Sequence, residues 1–388
     1  MTRYADMGQV AGDFYTENFA QTAQEGSLIL NLGPQHPSTH GVLRVIVELD
    51  GEYVLRADPV LGYLHRMHEK MAEVKTAAQF IPNMGRVDYG HALAWNWAFV
   101  GAVEKLAGIE VPERAEYART ITCELNRIAS HLLWWGAYLL DLGAFTPIMY
   151  AFDDREKILD ILQVPTGSRL TYSYFRIGGV AQDLNEECFS RIKAFIPWMR
   201  SRLPMYKDLV SDNIILRKRI EGVGPIEPEL CRRYGATGPV ARGSGINFDV
   251  RRAEPYSVYP KLDFEVPTST LLDARGRYDV RMIEIEQSLR IIEQCVEMMP
   301  EGDTLVKGAP KPSWKVPKGE AYFAVEGGRG KIGVHVVSDG GKNLYRTKLR
   351  APGFSNLSLF AEVSRGTILA DAVAILGSLD LIIPEIDR

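Results

Sequence analysis

Four short stretches of this 388-residue chain gather side chains that can move protons or hold charge. The first is the loop Gly33-Pro34-Gln35-His36-Pro37-Ser38-Thr39-His40-Gly41. Its two histidines titrate near neutral pH and suit proton donation or metal binding. Two prolines break the loop, so an H-x-x-x-H spacing there does not put both rings on one face as a helix would. A structural turn with the rings bonded to backbone accounts for the loop equally. The second stretch is Leu64-His65-Arg66-Met67-His68-Glu69-Lys70, where alternating charges suit a solvated face or, at Arg66, a partner surface. The third is Arg86-Val87-Asp88-Tyr89-Gly90-His91. A phenol beside Asp88 can serve as an acid, although its ordinary pKa of about 10 makes that demanding; a buried tyrosine with a satisfied hydroxyl is the alternative. The fourth is Asp141, which closes an apolar run. A carboxylate buried there needs a partner, and the C-terminal end of a helix disfavours negative charge.

Composition excludes several classes of function. Lys and Arg number 45 against 49 Asp and Glu, a net charge of −4. That balance argues against a protein that coats nucleic acid. A long uncharged run, from Ile128 to Leu140, contains Ser130, His131 and Gly136 and ends at Asp141. It reads as a buried helix, because about 18 uninterrupted apolar residues are needed to span a bilayer. No secretory or transit pattern opens the chain, which places it on the cytoplasmic side. Cys123, Cys188, Cys231 and Cys295 lie far apart with no C-x-x-C, as expected of reduced thiols and not of a locally held cluster. Glu326-Gly327-Gly328-Arg329-Gly330 and Ser338-Asp339-Gly340-Gly341 match no phosphate-binding motif and read as hairpin turns.

The elements that must position these groups follow from periodicity and breakers. Residues 1–26 are polar and aperiodic and read as a mobile arm. Residues 27–61 form a β region, with strands at 28–32, 43–49 and 53–57 and a turn at Asp50-Gly51. Residues 62–310 read as a helical bundle. Within it Pro112 opens a long helix from Glu113 to about Leu142, carrying a stripe of Ile121, Leu125, Ile128, Leu132, Trp135 and Leu139. A helix from 185 to 211 is interrupted at Pro197 and Pro204. Residues 235–275, rich in Gly, Pro and Tyr, read as an irregular connection on the bundle surface, and 277–299 as an amphipathic helix. Residues 311–388 read as a three-stranded meander and short helices. The class is α+β, a central helical bundle flanked by small β regions.

Longer strings of residues carry a family resemblance. Asn31 to Arg44 (NLGPQHPSTHGVLR), Val60-Leu61-Gly62-Tyr63-Leu64-His65-Arg66, Arg86-Val87-Asp88-Tyr89, and Glu124 to Leu132 (ELNRIASHL) resemble the 49-kDa subunit family of respiratory complex I. So do Leu140-Asp141-Leu142-Gly143-Ala144, Phe175 to Val180, Val337 to Gly341, Gly377-Ser378-Leu379-Asp380 and the terminal Asp387-Arg388. That family shares its fold with the large subunit of [NiFe]-hydrogenases. The regions that hold nickel there correspond to Arg86–His91 and Asp380–Glu385 here, and neither contains cysteine, the soft donor such a site needs.

The resemblance implies a quinone-binding subunit of a proton-pumping NADH:quinone oxidoreductase, active only within the complex. A ferredoxin-fed relative is the alternative. Tyr89 resembles the tyrosine that hydrogen-bonds the quinone headgroup, His40 the histidine opposite it, and Asp141 that histidine's carboxylate partner. Arg66 resembles an arginine beside the terminal [4Fe–4S] cluster of the adjacent subunit. No metal or cofactor is implied for this chain itself; FMN and NADH bind elsewhere in the complex. Implied partners are the small cluster-bearing subunit, the 30-kDa subunit, the ferredoxin-like subunit and the membrane subunit that opens the quinone channel, at the cytoplasmic face of the inner membrane. The chain departs from the family pattern in having Met67 where glycine usually follows Arg66, Gly90-His91 for Val-Ser, and Thr171 where many members carry histidine. His91 adds a titratable group beside the pocket. The threonine implies a cluster potential with weak pH dependence.

Overall fold

The computed structural model describes residues 3–5, 14–35, 41–311 and 313–388. Its first sheet runs in the order Arg3–Ala5, Leu28–Leu32, Arg44–Asp50, Tyr53–Val60, with the first pair parallel and the others antiparallel. The first 26 residues are therefore more than an arm. They supply the edge strand and a helix, Phe14–Gln21, whose Phe19 is buried against Ile29, Ile46 and Val60. The Arg56 guanidinium lies 3.6 Å from the centroid of the Phe19 ring. One aromatic anchor and a cation stacked on it hold a segment whose composition alone reads as loose. His36 and His40 lie outside the described residues.

The bundle is built around the 29-residue helix Glu113–Asp141. Its expected stripe is buried, from Ile121 to Leu139. So is its opposite side, with Glu124, Asn126, Arg127, Ser130 and His131. A helix covered all round sits at the centre of its layer. Against it lie Thr146–Thr166, Ala92–Ala107 and Ala274–Met298. The three-stranded sheet Gly319–Gly327, Gly330–Ser338, Arg346–Arg350 packs on Ala92–Ala107. Gly101 permits that approach, since a Cβ there would stand 2.5 Å from the Phe323 ring.

Two further expectations need correction. The helix Glu186–Tyr206 runs through both Pro197 and Pro204 and ends in a π-helical turn, Lys207–Ser211. Each internal proline costs about 3 kcal/mol. The helix persists because Ile192, Phe195, Ile196, Met199 and Tyr206 are buried along it. Residues 235–275 are not a surface connection. They carry the short helices Pro239–Arg242 and Val250–Ala253 and the turn Tyr259–Lys261, and Arg242, Asp249, Arg251 and Tyr259 are buried in the bundle. Residues 379–388 close the fold with the short helix Ile383–Asp387.

Candidate functional site

A cavity of about 530 Å³ opens at the C-terminal end of the long helix. Leu133, Ala137, Leu140 and Asp141 line it from one helix face, at steps of four, three and one that keep them neighbours. Trp134 lines it too, its indole N–H donating to the Gly377 carbonyl at 2.9 Å. Tyr89 and Arg329 contribute from one side, and Asp380, Leu381 and Ile382 from the other. Asp141 is half-buried on the wall, not enclosed in the core as its apolar neighbours suggest. Gly377 lets the C-terminal segment close on this helix end: its Cβ position is 2.7 Å from the Tyr138 ring and 3.5 Å from Asp141 Oδ2.

Tyr89 is held by a turn ahead of the helix Ala92–Ala107. Asp88 Oδ1 accepts the backbone N–H groups of Gly90 (2.8 Å) and His91 (3.1 Å). Asn126 clamps the same turn to the long helix, accepting from Leu93 N–H at 3.2 Å and donating to the Gly90 carbonyl at 3.1 Å. Burial pushes the Tyr89 phenol above its usual pKa; Arg329 opposes the rise, and Asp88 and Asp380 add to it. The hydroxyl therefore keeps its proton at neutral pH and stands ready to donate a hydrogen bond.

Behind Tyr89 lies Arg329, buried at the tip of the hairpin between Gly319–Gly327 and Gly330–Ser338. Its Nη1 donates to Asp88 Oδ2 at 2.9 Å and to Ser130 Oγ at 3.2 Å, and its Nη2 lies 3.1 Å from Asp380 Oδ1. One guanidinium thus ties segment 86–91 to segment 380–385. Asp380 adopts φ 56°, a left-handed backbone that aspartate tolerates better than most residues. The Arg281 Nε lies 3.7 Å from Asp380 Oδ2, with its guanidinium 4.3 Å from the Trp134 ring centroid.

The other expected residues fall as follows. Arg66 is exposed and donates to the Arg86 carbonyl at 2.9 Å. The stretch before it is pinned by Asp387, whose carboxylate accepts the N–H groups of Gly62 (2.9 Å) and Leu64 (2.7 Å). Met67 takes up φ 55° and Thr171 φ 50°, both in the left-handed region. His91 is not a titrating neighbour of the cavity. Its Nδ1 accepts the Gly328 N–H at 2.8 Å and its Nε2 donates to the Cys123 carbonyl at 3.0 Å. Burial, with Arg127, pushes its pKa well down, so it stays neutral. His68, also buried, is lowered to about 4 by burial, Arg66 and His65.

A layer of buried ions continues away from the cavity. Glu284 pairs with His131 (2.9 Å) and Arg242 (2.9 Å), and Arg242 with Glu326 (2.8 Å). Arg251 joins Asp249 (2.7 Å) to Glu124 (3.1 Å), which also meets Arg127 at 3.0 Å. Burial alone would raise the Glu124 carboxyl; Arg127 and Arg251 override it and hold the group well below the usual range.

The sequence marks Asp380–Glu385 as the segment corresponding to a nickel-holding region but assigns no role to Arg329, Asp380 or Glu385. The signal was present: one arginine in a glycine turn between apolar strands, and two acids inside the apolar segment Leu379–Ile386. Among the described residues no group of three or more His, Cys, Asp or Glu is arranged to hold a metal. The four cysteines are free and buried. Carboxylates and a guanidinium are poor donors for a nickel–iron centre, so the residues present do not fit one.

An α+β bundle in which these two segments meet across a carboxylate–guanidinium cavity defines a relative of the hydrogenase large subunit that lacks the thiolate ligands. The family described as "Respiratory-chain NADH dehydrogenase, 49 Kd subunit" matches residues 141–314 and 309–388. The chain is 57% identical over 378 residues to a D-type subunit of the NADH-quinone oxidoreductase of Opitutus terrae, covering 96% of this chain and 94% of that one. It is 58% identical over 359 residues to the D-type subunit of the Desulfotalea psychrophila enzyme, covering 92% and 96%. It is 55% identical over 372 residues to the corresponding subunit of the Syntrophobacter fumaroxidans enzyme, covering 96% and 100%. The chain belongs to the 49-kDa subunit family of respiratory complex I. It is a subunit of that oxidoreductase, and no helix among its described residues is long and apolar enough to cross a membrane.

Proposed function

We propose that the cavity walled by Tyr89, Trp134, Asp141, Arg329 and Asp380 receives a quinone headgroup and that the quinone is reduced there. The observation that carries this reading is one protonated phenol, Tyr89, on the wall of a cavity that pairs an apolar face of Leu133, Trp134, Ala137, Leu140, Leu381 and Ile382 with the charged groups of Asp141, Asp380 and the buried Arg329. Quinone reduction consumes two electrons and two protons and leaves a quinol. The electrons come from a [4Fe–4S] cluster of the adjacent subunit, with NADH as the donor that the relatives' names state. A donor within about 3 Å of a quinone carbonyl assists proton transfer as charge develops on the oxygen. Tyr89, on the cavity wall, is the donor this reading assigns to one carbonyl. For the other, the resemblance points to His40 with Asp141 as its carboxylate partner, which would favour the imidazolium. Arg329 and Arg281 offset negative charge building up on the headgroup.

The same reading puts Arg66 toward the cluster-bearing subunit, and makes the neighbours of this chain the 30-kDa, ferredoxin-like and membrane subunits at the cytoplasmic face. Energy released on quinone reduction then drives proton translocation in the membrane arm.

Filling the cavity tests this. Ala137→Phe adds a ring to the wall without touching an ion pair. In the intact complex it is expected to raise the KM for quinone at least tenfold and leave reduction of a hydrophilic acceptor unchanged. Unchanged quinone kinetics with the complex assembled would place the headgroup elsewhere.

A further inference from the structure

Arg329 pairs with two carboxylates, Asp88 and Asp380, and feels a third, Glu385, from beyond ion-pair distance; the three are not equally served. Asp88 accepts two backbone N–H groups and one Arg329 N–H. Asp380 has Arg329 at 3.1 Å and Arg281 at 3.7 Å. Glu385, on the short helix Ile383–Asp387, is fully buried and receives one hydrogen bond, from the Gly353 N–H to Oε1 at 2.8 Å. Its Oε2 meets no hydrogen-bond partner among the described residues. A buried ionised carboxylate with one backbone donor is poorly compensated. Of the three, Glu385 is the carboxylate whose charge the fold compensates least.

We propose that Glu385 is a positioning residue of the cavity. Its neutral carboxyl leaves the Arg329 guanidinium to Asp88 and Asp380, and its ionisation draws Arg329 off the two aspartates and weakens the hold on quinone. The proposal rests on the cavity being the quinone site. The charged groups facing Glu385 are Asp88 from the turn before Ala92–Ala107, Arg329 from the hairpin, Asp380 from the preceding segment and Arg350 from the end of the third meander strand. Burial, with Asp88, pushes the Glu385 carboxyl up to about 8, against the pull of Arg329. Tyr89 is raised from an already high value and does not titrate in that window. Asp88 is raised as well, so the two acids titrate together and the variants must separate them.

The test uses the intact complex and a short-chain quinone, with KM followed from neutral to alkaline pH. If only the neutral form positions Arg329, wild-type KM rises by about tenfold per pH unit above about pH 8. Glu385→Gln fixes the neutral state and is expected to flatten that rise, with kcat at neutral pH and reduction of a hydrophilic acceptor unchanged. A purely structural role would not move the pH profile. Glu385→Gln that keeps the wild-type rise overturns the proposal. Should the amide variant fail to assemble, Glu385→Asp decides: a displaced midpoint supports the proposal and an unmoved one overturns it. Ala137→Phe run alongside separates the two readings. If it blocks quinone while Glu385→Gln keeps the wild-type profile, only the role of Glu385 falls. If it has no effect on quinone kinetics, the cavity reading falls and the proposal with it.

Discussion

Arg329 Nη1 donates to Asp88 Oδ2 at 2.9 Å, with both side chains buried. The same guanidinium holds Asp380, so a residue of a hairpin turn fastens the two segments that wall the cavity. Removing one member of a buried pair leaves an uncompensated charge and costs about 3–5 kcal/mol. Arg329→Ala is expected to deplete this subunit from the assembled complex. Arg329→Lys keeps the charge but not the two-armed geometry, and is expected to assemble with a raised quinone KM. Subunit content of the purified complex and quinone kinetics check both. Wild-type assembly and thermal resistance in Arg329→Ala would show that the pairing contributes little.

His91 gives a pH dependence of known sign. Burial depresses its folded-state pKa well below the ordinary value of about 6.5. The unfolded chain therefore takes up a proton that the folded chain does not, and stability falls as pH drops below about 6.5. His91→Ser leaves the Gly328 N–H and the Cys123 carbonyl without their partner. That costs about 1–3 kcal/mol. The variant should inactivate at a lower temperature than wild type near pH 7.5, with a narrower gap near pH 5.5. An equal gap at both values would contradict a neutral, buried His91.

Met67 holds φ 55°, a backbone conformation that glycine adopts without strain. A non-glycine residue pays about 1–2 kcal/mol for the left-handed conformation. Met67→Gly relieves that strain but frees the unfolded chain by about 0.4–1 kcal/mol. The net expectation is a small gain in thermal resistance at unchanged quinone KM, whereas Met67→Val should lower it. Thermal inactivation of the three complexes ranks them; valine at or above methionine would refute the strain.

In the buried ion layer the number of partners sets the order of effects. Glu284 serves both His131 and Arg242, and Glu284→Gln leaves Arg242 under-compensated at a cost of about 3–5 kcal/mol. Tyr259→Phe removes one hydrogen bond of 2.7 Å to Glu124, worth about 1.5–3 kcal/mol. Complex yield and heat resistance should fall further in the first variant than in the second.

How much of this was legible in the sequence divides along physical lines. Glu113–Asp141 and Ala274–Met298 show in the chain because apolar residues recur at helical spacing, and the meander because its strands alternate between glycine turns. The path of Glu186–Tyr206 through two prolines does not show, because packing at Phe195, Ile196 and Met199 outweighs a local penalty. Arg242, Arg251 and Arg281 look like solvated cations, since burial of an ion depends on partners distant in sequence. Arg329 is hidden for the same reason: its partners Asp88 and Asp380 lie on either side of it, far along the chain. Tyr89 and Asp141 stand out by local chemistry and by family motifs, and their meeting at one cavity is visible only in the fold.

The most direct measurement is quinone reduction by the intact complex carrying Tyr89→Phe, with a hydrophilic acceptor reporting electron input separately. Loss of a positioned acid typically lowers a rate by about 10²–10⁴-fold. Quinone reduction by the site proposed here is expected to fall at least 10²-fold, with electron input and assembly preserved. Wild-type quinone reduction in that variant would contradict it.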